Sequence, residues 1–191
     1  MGDTALHPQL RAICDEFDAA SDRLRWLIAD VPEPAWSRRP DPARWSVAEC
    51  IAHLNLTSRA YLPLLDDGLA RARTSGGPAP GRFHRDLAGW LLWKTMGPPA
   101  RIRTRTTAAF VPSGEEAPTE LVAQFERLQR ELLARVNNAD GLPIDRVKIP
   151  SPFNARLKYN LFAALTILPR HEHRHLWQAE QAWRALAEPP A

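Results

Sequence analysis

The sequence has 191 residues, of which 45% are hydrophobic, so it can build one sizeable core, and we expect a single domain spanning residues 1–191. Its formal charge of +3 comes from 25 basic and 22 acidic residues spread along the chain, which argues against a nucleic-acid partner. The sequence has no apolar run of the roughly 18 residues that a membrane span needs, no signal-peptide pattern and only two cysteines, which together predict a cytoplasmic protein with no membrane partner.

The first predicted helix runs from Pro8 to about Asp30. Its apolar residues recur in alternating steps of four and three, which is the spacing of a single helix face. They are Leu6, Leu10, Ile13, Phe17, Ala20, Leu24 and Leu27. The helix is expected to pack in a bundle and to end before Pro32 and Pro34, because proline cannot continue it.

A second helix is predicted from Ser46 to about Arg73. Ser46 and Glu49 have the spacing of a capping box, in which each side chain bonds to the main-chain amide of the other residue. His53 follows one turn after Glu49, on the flank of the apolar stripe. Glu49 is therefore a candidate catalytic base beside His53, although the capping role alone explains its position.

Residues 74–118 form a long connection with little regular pattern. Leu87 to Lys94 are consistent with a short amphipathic helix. Arg101, Arg103 and Arg105 alternate with a period of two, which is typical of an extended segment, and these arginines either lie in solvent or pair with an anionic substrate. Connections of this length often cover a functional site.

The third helix is predicted from Pro118 or Thr119 to about Val136, and a short extended connector follows at residues 145–153. The fourth runs from an Asn160 cap to about Leu186, with a kink at Pro169. With no strong strand signal elsewhere, these elements predict an all-α four-helix bundle that has a long connection between helices 2 and 3.

Three of the six histidines lie in a single stretch of five residues inside the fourth helix. His171, His175 and Gln178 continue the apolar stripe of Leu161, Ala164 and Leu168, whereas His173 lies roughly 200° around the helix from its neighbours and is expected in solvent. The spacing places two imidazoles on one face about 6 Å apart, close enough to share a metal ion. Gln178 is a candidate hydrogen-bond partner that would orient these ligand histidines.

A third ligand should come from another helix, and His53 is the candidate because His7 and His84 lie in a terminus and a loop. Three neutral imidazoles with no fourth protein ligand would leave an open position, as catalytic metal sites do. The alternative is a set of hydrogen-bonded core histidines that bind no metal. Four tryptophans are candidates for the pocket wall or for plain core packing: Trp45, Trp90, Trp93 and Trp177.

Two segments of the sequence resemble the DinB-like superfamily of DinB/YfiT-like metalloenzymes. They are Trp45-Ser46-x-x-Glu49-x-x-x-His53-Leu54 and His171-Glu172-x-Arg174-His175-Leu176-Trp177-Gln178. The resemblance extends to Phe110-Val111-Pro112 and Ser151-Pro152-Phe153. It implies a four-helix bundle whose divalent metal is held by His53, His171 and His175.

The resemblance also implies a class of reaction. Characterised relatives include S-transferases that use low-molecular-weight thiols, a mycothiol-dependent isomerase and a domain of ergothioneine biosynthesis. We therefore expect a divalent metal (zinc, nickel or iron), a thiol co-substrate and a small-molecule electrophile. A hydrolase that uses metal-bound water, and a non-catalytic bundle that binds a ligand or forms a homodimer, are the alternatives.

Overall fold

The computed structural model describes residues 5–99, 106–114 and 116–187. In these ranges four long helices form the bundle: α1 (Pro8–Asp30), α2 (Val47–Thr74), α4 (Pro118–Asn137) and α5 (Leu161–Ala187). A short helix, α3 (Leu87–Met96), packs against α5. The predicted all-α bundle is confirmed. Among the described residues, no helix has the length and apolar character needed to cross a membrane.

The helices begin where local hydrogen bonding predicts. The Glu49 amide donates to the Ser46 hydroxyl at 3.2 Å, and the Ser46 amide donates to the Glu49 carboxylate at 2.9 Å, so the capping box is formed. At the start of α5, the Ala163 amide donates to the Asn160 side-chain oxygen at 2.9 Å. Caps of this kind stabilise a helix by about 1 kcal/mol each, because they satisfy main-chain donors that have no partner inside the helix.

Helix α5 is the central element of the bundle, since α1, α2 and α3 all pack against it. Helix α5 is buried on every side from Leu161 to Pro169 and continues through that proline without a break, and α2 is buried in the same way from Val47 to Asn55. Gly89 of α3 makes one of these contacts: a methyl group there would lie 2.3 Å from the Ala163 methyl, so the two helices approach more closely than any larger residue permits.

The connector before α5 is a β-hairpin that the sequence pattern predicted only in part. Strand β1 (Lys148–Ser151) falls within the predicted extended segment, but β2 (Asn154–Asn160) was not predicted. The two strands pair antiparallel, with Ile149 opposite Tyr159. Both of these residues are fully buried, and the hairpin turn carries Phe153 towards the bundle.

The long connection between α2 and α4 holds α3 and a 3₁₀ turn at Ala108–Phe110. The predicted short helix is therefore confirmed. The predicted extended segment with Arg101, Arg103 and Arg105 lies outside the described residues. The 3₁₀ turn packs against α2 and brings the main chain of Phe110 to the histidines.

The apolar core consists of two clusters. One contains Leu165 and Leu168 of α5, and the other contains Leu176 and Ala179 of the same helix. The buried polar residues His171 and His175 lie between these two stretches of α5. Polar side chains in such a place need hydrogen-bond partners or a bound ion.

Candidate metal centre

The bundle brings three buried imidazoles together. His53 comes from α2, and His171 and His175 come from neighbouring turns of α5. One ring nitrogen of each lies within 4.8 Å of the others. Over the described parts of the chain, no carboxylate, thiolate or further histidine joins the group. The side chains that the sequence analysis selected as metal ligands are thus those that the fold places together.

The hydrogen bonding of His53 leaves one of its nitrogens free to bind a cation. Its Nδ1 lies 2.8 Å from the Phe110 carbonyl oxygen, which only accepts, so Nδ1 carries the proton and donates. The lone pair is then on Nε2, which lies 3.4 Å from Nε2 of His171. Two nitrogens bound to one tetrahedral ion at about 2.0–2.1 Å each are separated by about 3.3–3.4 Å, so this spacing fits a shared metal.

His175 completes the triangle. Its ring centroid is 4.4 Å from that of His53 and 4.5 Å from that of His171. Its Nδ1 is buried and has no hydrogen-bond partner within the described ranges. Gln178 interacts with this side chain, but not in a geometry that satisfies Nδ1. A buried nitrogen without a partner costs free energy, so His175 has room for a partner that the described side chains do not supply.

Burial keeps all three imidazoles in the form that binds metal. Desolvation lowers the pKa of His53, and it lowers the pKa of both His171 and His175 well below the ordinary value. The positive charge of Arg174 and the mutual repulsion of the protonated rings add to the shift at the α5 pair. The rings are therefore neutral at neutral pH, as metal ligation requires.

Aromatic rings form much of the wall. Trp45 lies 5.0 Å from the His53 ring and stacks on His175 at 5.9 Å. Phe153 from the hairpin turn lies 6.1 Å from His171 and packs at 4.3 Å on Phe110. Neither phenylalanine was selected from the sequence as a site residue, although both lie in segments that carried the family resemblance.

The other tryptophans considered as pocket walls lie elsewhere. Trp90 is 43% exposed on α3, and Trp93 lines a different cavity. Trp177 is half-buried on α5 and makes no ring contact with the three histidines in the part of the chain described. Of the four, Trp45 is the one that touches the cluster.

His173 is separated from the cluster by helical phase, but the prediction that it lies in solvent is wrong. Its side chain is only 14% exposed, and its Nε2 lies 3.1 Å from the Glu16 carboxylate of α1. Arg23, also on α1, donates to the His173 carbonyl oxygen at 3.1 Å. The residue faces the α1–α5 interface because α5 has neighbours on every side.

Glu49 is held by structural contacts. Arg39 makes a bidentate ion pair with its carboxylate, and the Ser46 amide donates to it as well. Burial would raise the pKa of Glu49, but these hydrogen bonds outweigh burial and lower it. The side chain is thus an ionised helix cap, and a catalytic role for Glu49 stays a prediction.

A second buried acid, Glu172, was not selected as a site residue. Its carboxyl group accepts a hydrogen bond from the Gln129 side chain at 2.6 Å, and its other oxygen has no partner in the described chain. Burial raises the pKa of Glu172 to about 8, partly opposed by the Gln129 bond. Glu172 is therefore largely neutral at pH 7, directly beside His171 in the sequence.

The lowered imidazole pKa values predict how bound metal responds to acid. Protons compete with a cation only when the pH approaches the pKa of the ligands, so we expect retention at pH 6 and progressive loss at lower pH. Stability that the neutral rings contribute is complete above the unfolded histidine pKa of about 6.5 and falls as the pH drops below it. Metal content after dialysis at stepped pH, with circular dichroism as the control for folding, measures this. Release of metal from folded protein already at pH 7 would contradict it.

Comparison with known proteins gives one match. A family model of the DinB superfamily matches residues 16–179. This range contains the three histidines of the cluster as well as Phe110 and Phe153. No curated protein and no solved structure matches the chain significantly. The match confirms the resemblance seen in the sequence motifs.

Proposed function

The chain belongs to the DinB superfamily, and we propose that it is a metal-dependent enzyme that transfers a low-molecular-weight thiol to a small electrophile. The observation that carries the proposal is the convergence of three neutral imidazoles with no fourth protein ligand among the described residues. A cation held by three protein groups keeps a coordination position for a reactant.

Each residue of the site has a part in this reaction. His53, His171 and His175 hold the ion, and the Phe110 carbonyl fixes the tautomer and orientation of His53. Trp45, Phe110 and Phe153 limit the access of water, which strengthens electrostatic interactions inside. A divalent cation bound by neutral ligands lowers the pKa of a thiol or water that binds to it.

The surroundings favour a thiol over water as the nucleophile. Hydrolysis by activated water usually employs a side chain that accepts a proton. Neither carboxyl group near the histidines in sequence is suited to accept that proton: Glu49 is bound by Arg39 and Ser46, and burial raises the pKa of Glu172 to about 8, so this group is largely protonated already. A thiol has a pKa near 8.5 and becomes a strong nucleophile on ionisation alone, so it depends less on a general base.

We propose a cavity of about 210 Å³ beside α2 as the location of the electrophile. None of the three histidines lines it, and its walls include Ala52 and Asn55 of α2 and the two neighbours of Phe110, Ala109 and Val111. The buried side-chain oxygen of Asn55 has no hydrogen-bond partner in the described chain. A small molecule with a hydrogen-bond donor for Asn55 fits these walls, which also include the charged side chains of Arg59 and Glu116.

The test is a thiol-dependence assay on purified protein loaded with zinc, nickel or iron. A panel of glutathione and cysteine with a chlorodinitrobenzene as the electrophile is expected to show metal-dependent conjugation. In His171→Ala, the rate should fall at least about 100-fold, because the two imidazoles that remain bind the ion too weakly. His173→Ala is the matched control, since it removes an imidazole of the same helix that faces α1, and it should keep the rate.

Two results would count against this function. Full activity in metal-free protein would exclude metal-assisted transfer. Turnover of ester or amide substrates at the same histidines without any thiol would show a hydrolase instead.

A further inference from the structure

A second cavity, of about 230 Å³, lies between α1, α3 and α5 and contains none of the three histidines. Its apolar walls include Ile13 and Phe162, and its polar walls include two arginines, Arg85 and Arg170. The proposed thiol transfer makes no use of this cavity. Its chemistry is determined by what the two guanidinium groups contact.

Arg85 precedes α3 and is fixed against aromatic rings. Its guanidinium carbon lies 4.2 Å from the centroid of the Trp93 ring and 5.5 Å from that of Phe162. Its Nε donates to the Thr166 hydroxyl at 2.8 Å. The terminal nitrogens form no hydrogen bond to the described residues, so most of the donors of this group are unused.

Arg170 lies against the same tryptophan. Its guanidinium carbon is 4.3 Å from the Trp93 ring centroid. The group also packs on Gly97, where an added methyl would come within 2.8 Å of three of its atoms. Its Nε is buried and has no hydrogen-bond partner in the described ranges. Arg170 is thus positioned by stacking on Trp93 and by packing on Gly97, and these contacts leave its N–H groups available to a ligand.

No carboxylate forms an ion pair with either arginine within the described chain. The one acidic residue on the cavity wall, Glu16, is largely exposed and lies 3.1 Å from Nε2 of His173 instead. Burial, and after it the nearby charge of Arg170, lower the pKa of Arg85. Half-buried charges in proteins are normally paired, so a partner from outside the chain is expected.

We infer that this cavity binds a small oxyanion, a carboxylate or phosphoryl group, between Arg85 and Arg170. Guanidinium groups recognise the oxygens of both anions through paired N–H donors, and a fixed guanidinium loses little freedom on binding. The cavity is smaller than the 300 Å³ or so of a typical drug-sized pocket, so the ligand is a small anion or the anionic end of a larger one. The aromatic and aliphatic walls suit an apolar body.

The test uses the full-length protein with sodium benzoate and inorganic phosphate as probes at matched ionic strength. Each probe that binds should raise the melting temperature by several degrees at about 100 times its dissociation constant and give one site by calorimetry. Benzamide, which has the shape of benzoate without the charge, should give no shift. Binding of benzoate alone identifies a carboxylate ligand, and binding of phosphate alone identifies a phosphoryl ligand.

Arg85→Gln separates the site from general salt effects. This change removes the charge and the contacts with the Trp93 and Phe162 rings while keeping a donor for Thr166, so the protein should still fold and should bind the anion at least about tenfold more weakly. Arg82→Gln, which changes an exposed arginine three residues away, should bind as wild type. His53→Ala should also bind normally, so this result is independent of the metal site. Equal binding by the Arg85 and Arg82 variants, or no binding of either probe, would overturn the inference.

Discussion

Replacing His53 with alanine is expected to reduce the divalent metal bound by purified protein from about one equivalent per chain to a small fraction of that. The substitution removes the ligand on α2 and leaves two imidazoles on α5, which should weaken binding at least about 100-fold. It also removes the hydrogen bond to the Phe110 carbonyl, which at 2.8 Å ties the long connection to the site. Elemental analysis beside the wild-type protein measures the change.

His173→Ala provides the comparison for this experiment. It removes a histidine two residues from both α5 ligands, but His173 pairs with Glu16 on α1 and takes no part in the cluster. We expect metal content to be unchanged and stability to fall slightly. Equal metal content in wild type and His53→Ala would exclude the triad, as would an equal loss of metal in both variants.

The candidate ligands could be identified from the sequence because local patterns determine their positions. The Ser46–Glu49 capping box places the start of α2, and so fixes which face carries His53. The i, i+4 spacing of His171 and His175 along an apolar stripe places both on one side of α5. Neither step depends on contacts between distant parts of the chain. For this reason the structure agrees with both predictions, the start of α2 and the shared face of His171 and His175.

The surroundings of the site could not be obtained in the same way. Phe110 and Phe153 reach the histidines only because a 3₁₀ turn and a hairpin turn fold over the bundle. Strand β2 does carry a period-two signal, since Ala155, Leu157 and Tyr159 alternate with polar residues, but the sequence analysis did not use it. The burial of His173 was misjudged, and Glu172 was not selected, for a related reason. Helical phase assumes one buried face, whereas α5 has neighbours all around.

Replacing Glu172 with glutamine is expected to stabilise the metal-free protein by about 2–3 kcal/mol at pH 7. Burial raises the pKa of Glu172 to about 8 from an ordinary value of 4.5, so the folded state binds a proton that the unfolded state has released. Stability of the wild type therefore falls as the pH rises from about 4.5 to about 8. Glutamine cannot ionise, and it keeps a hydrogen-bonding side chain of nearly the same shape against Gln129.

Urea unfolding of both proteins at stepped pH between 4.5 and 8.5 measures this effect. The two curves should nearly coincide at the acid end, where the wild-type carboxyl is protonated in the folded state and about half protonated in the unfolded state, and diverge steadily towards pH 8. Metal is removed first, because a bound cation close to His171 would itself favour the ionised carboxylate. Glu126→Gln, an exposed site on α4, should show no such divergence. If Glu172→Gln is less stable than wild type throughout, the buried acid is ionised and paired, and its effect on stability has the opposite sign.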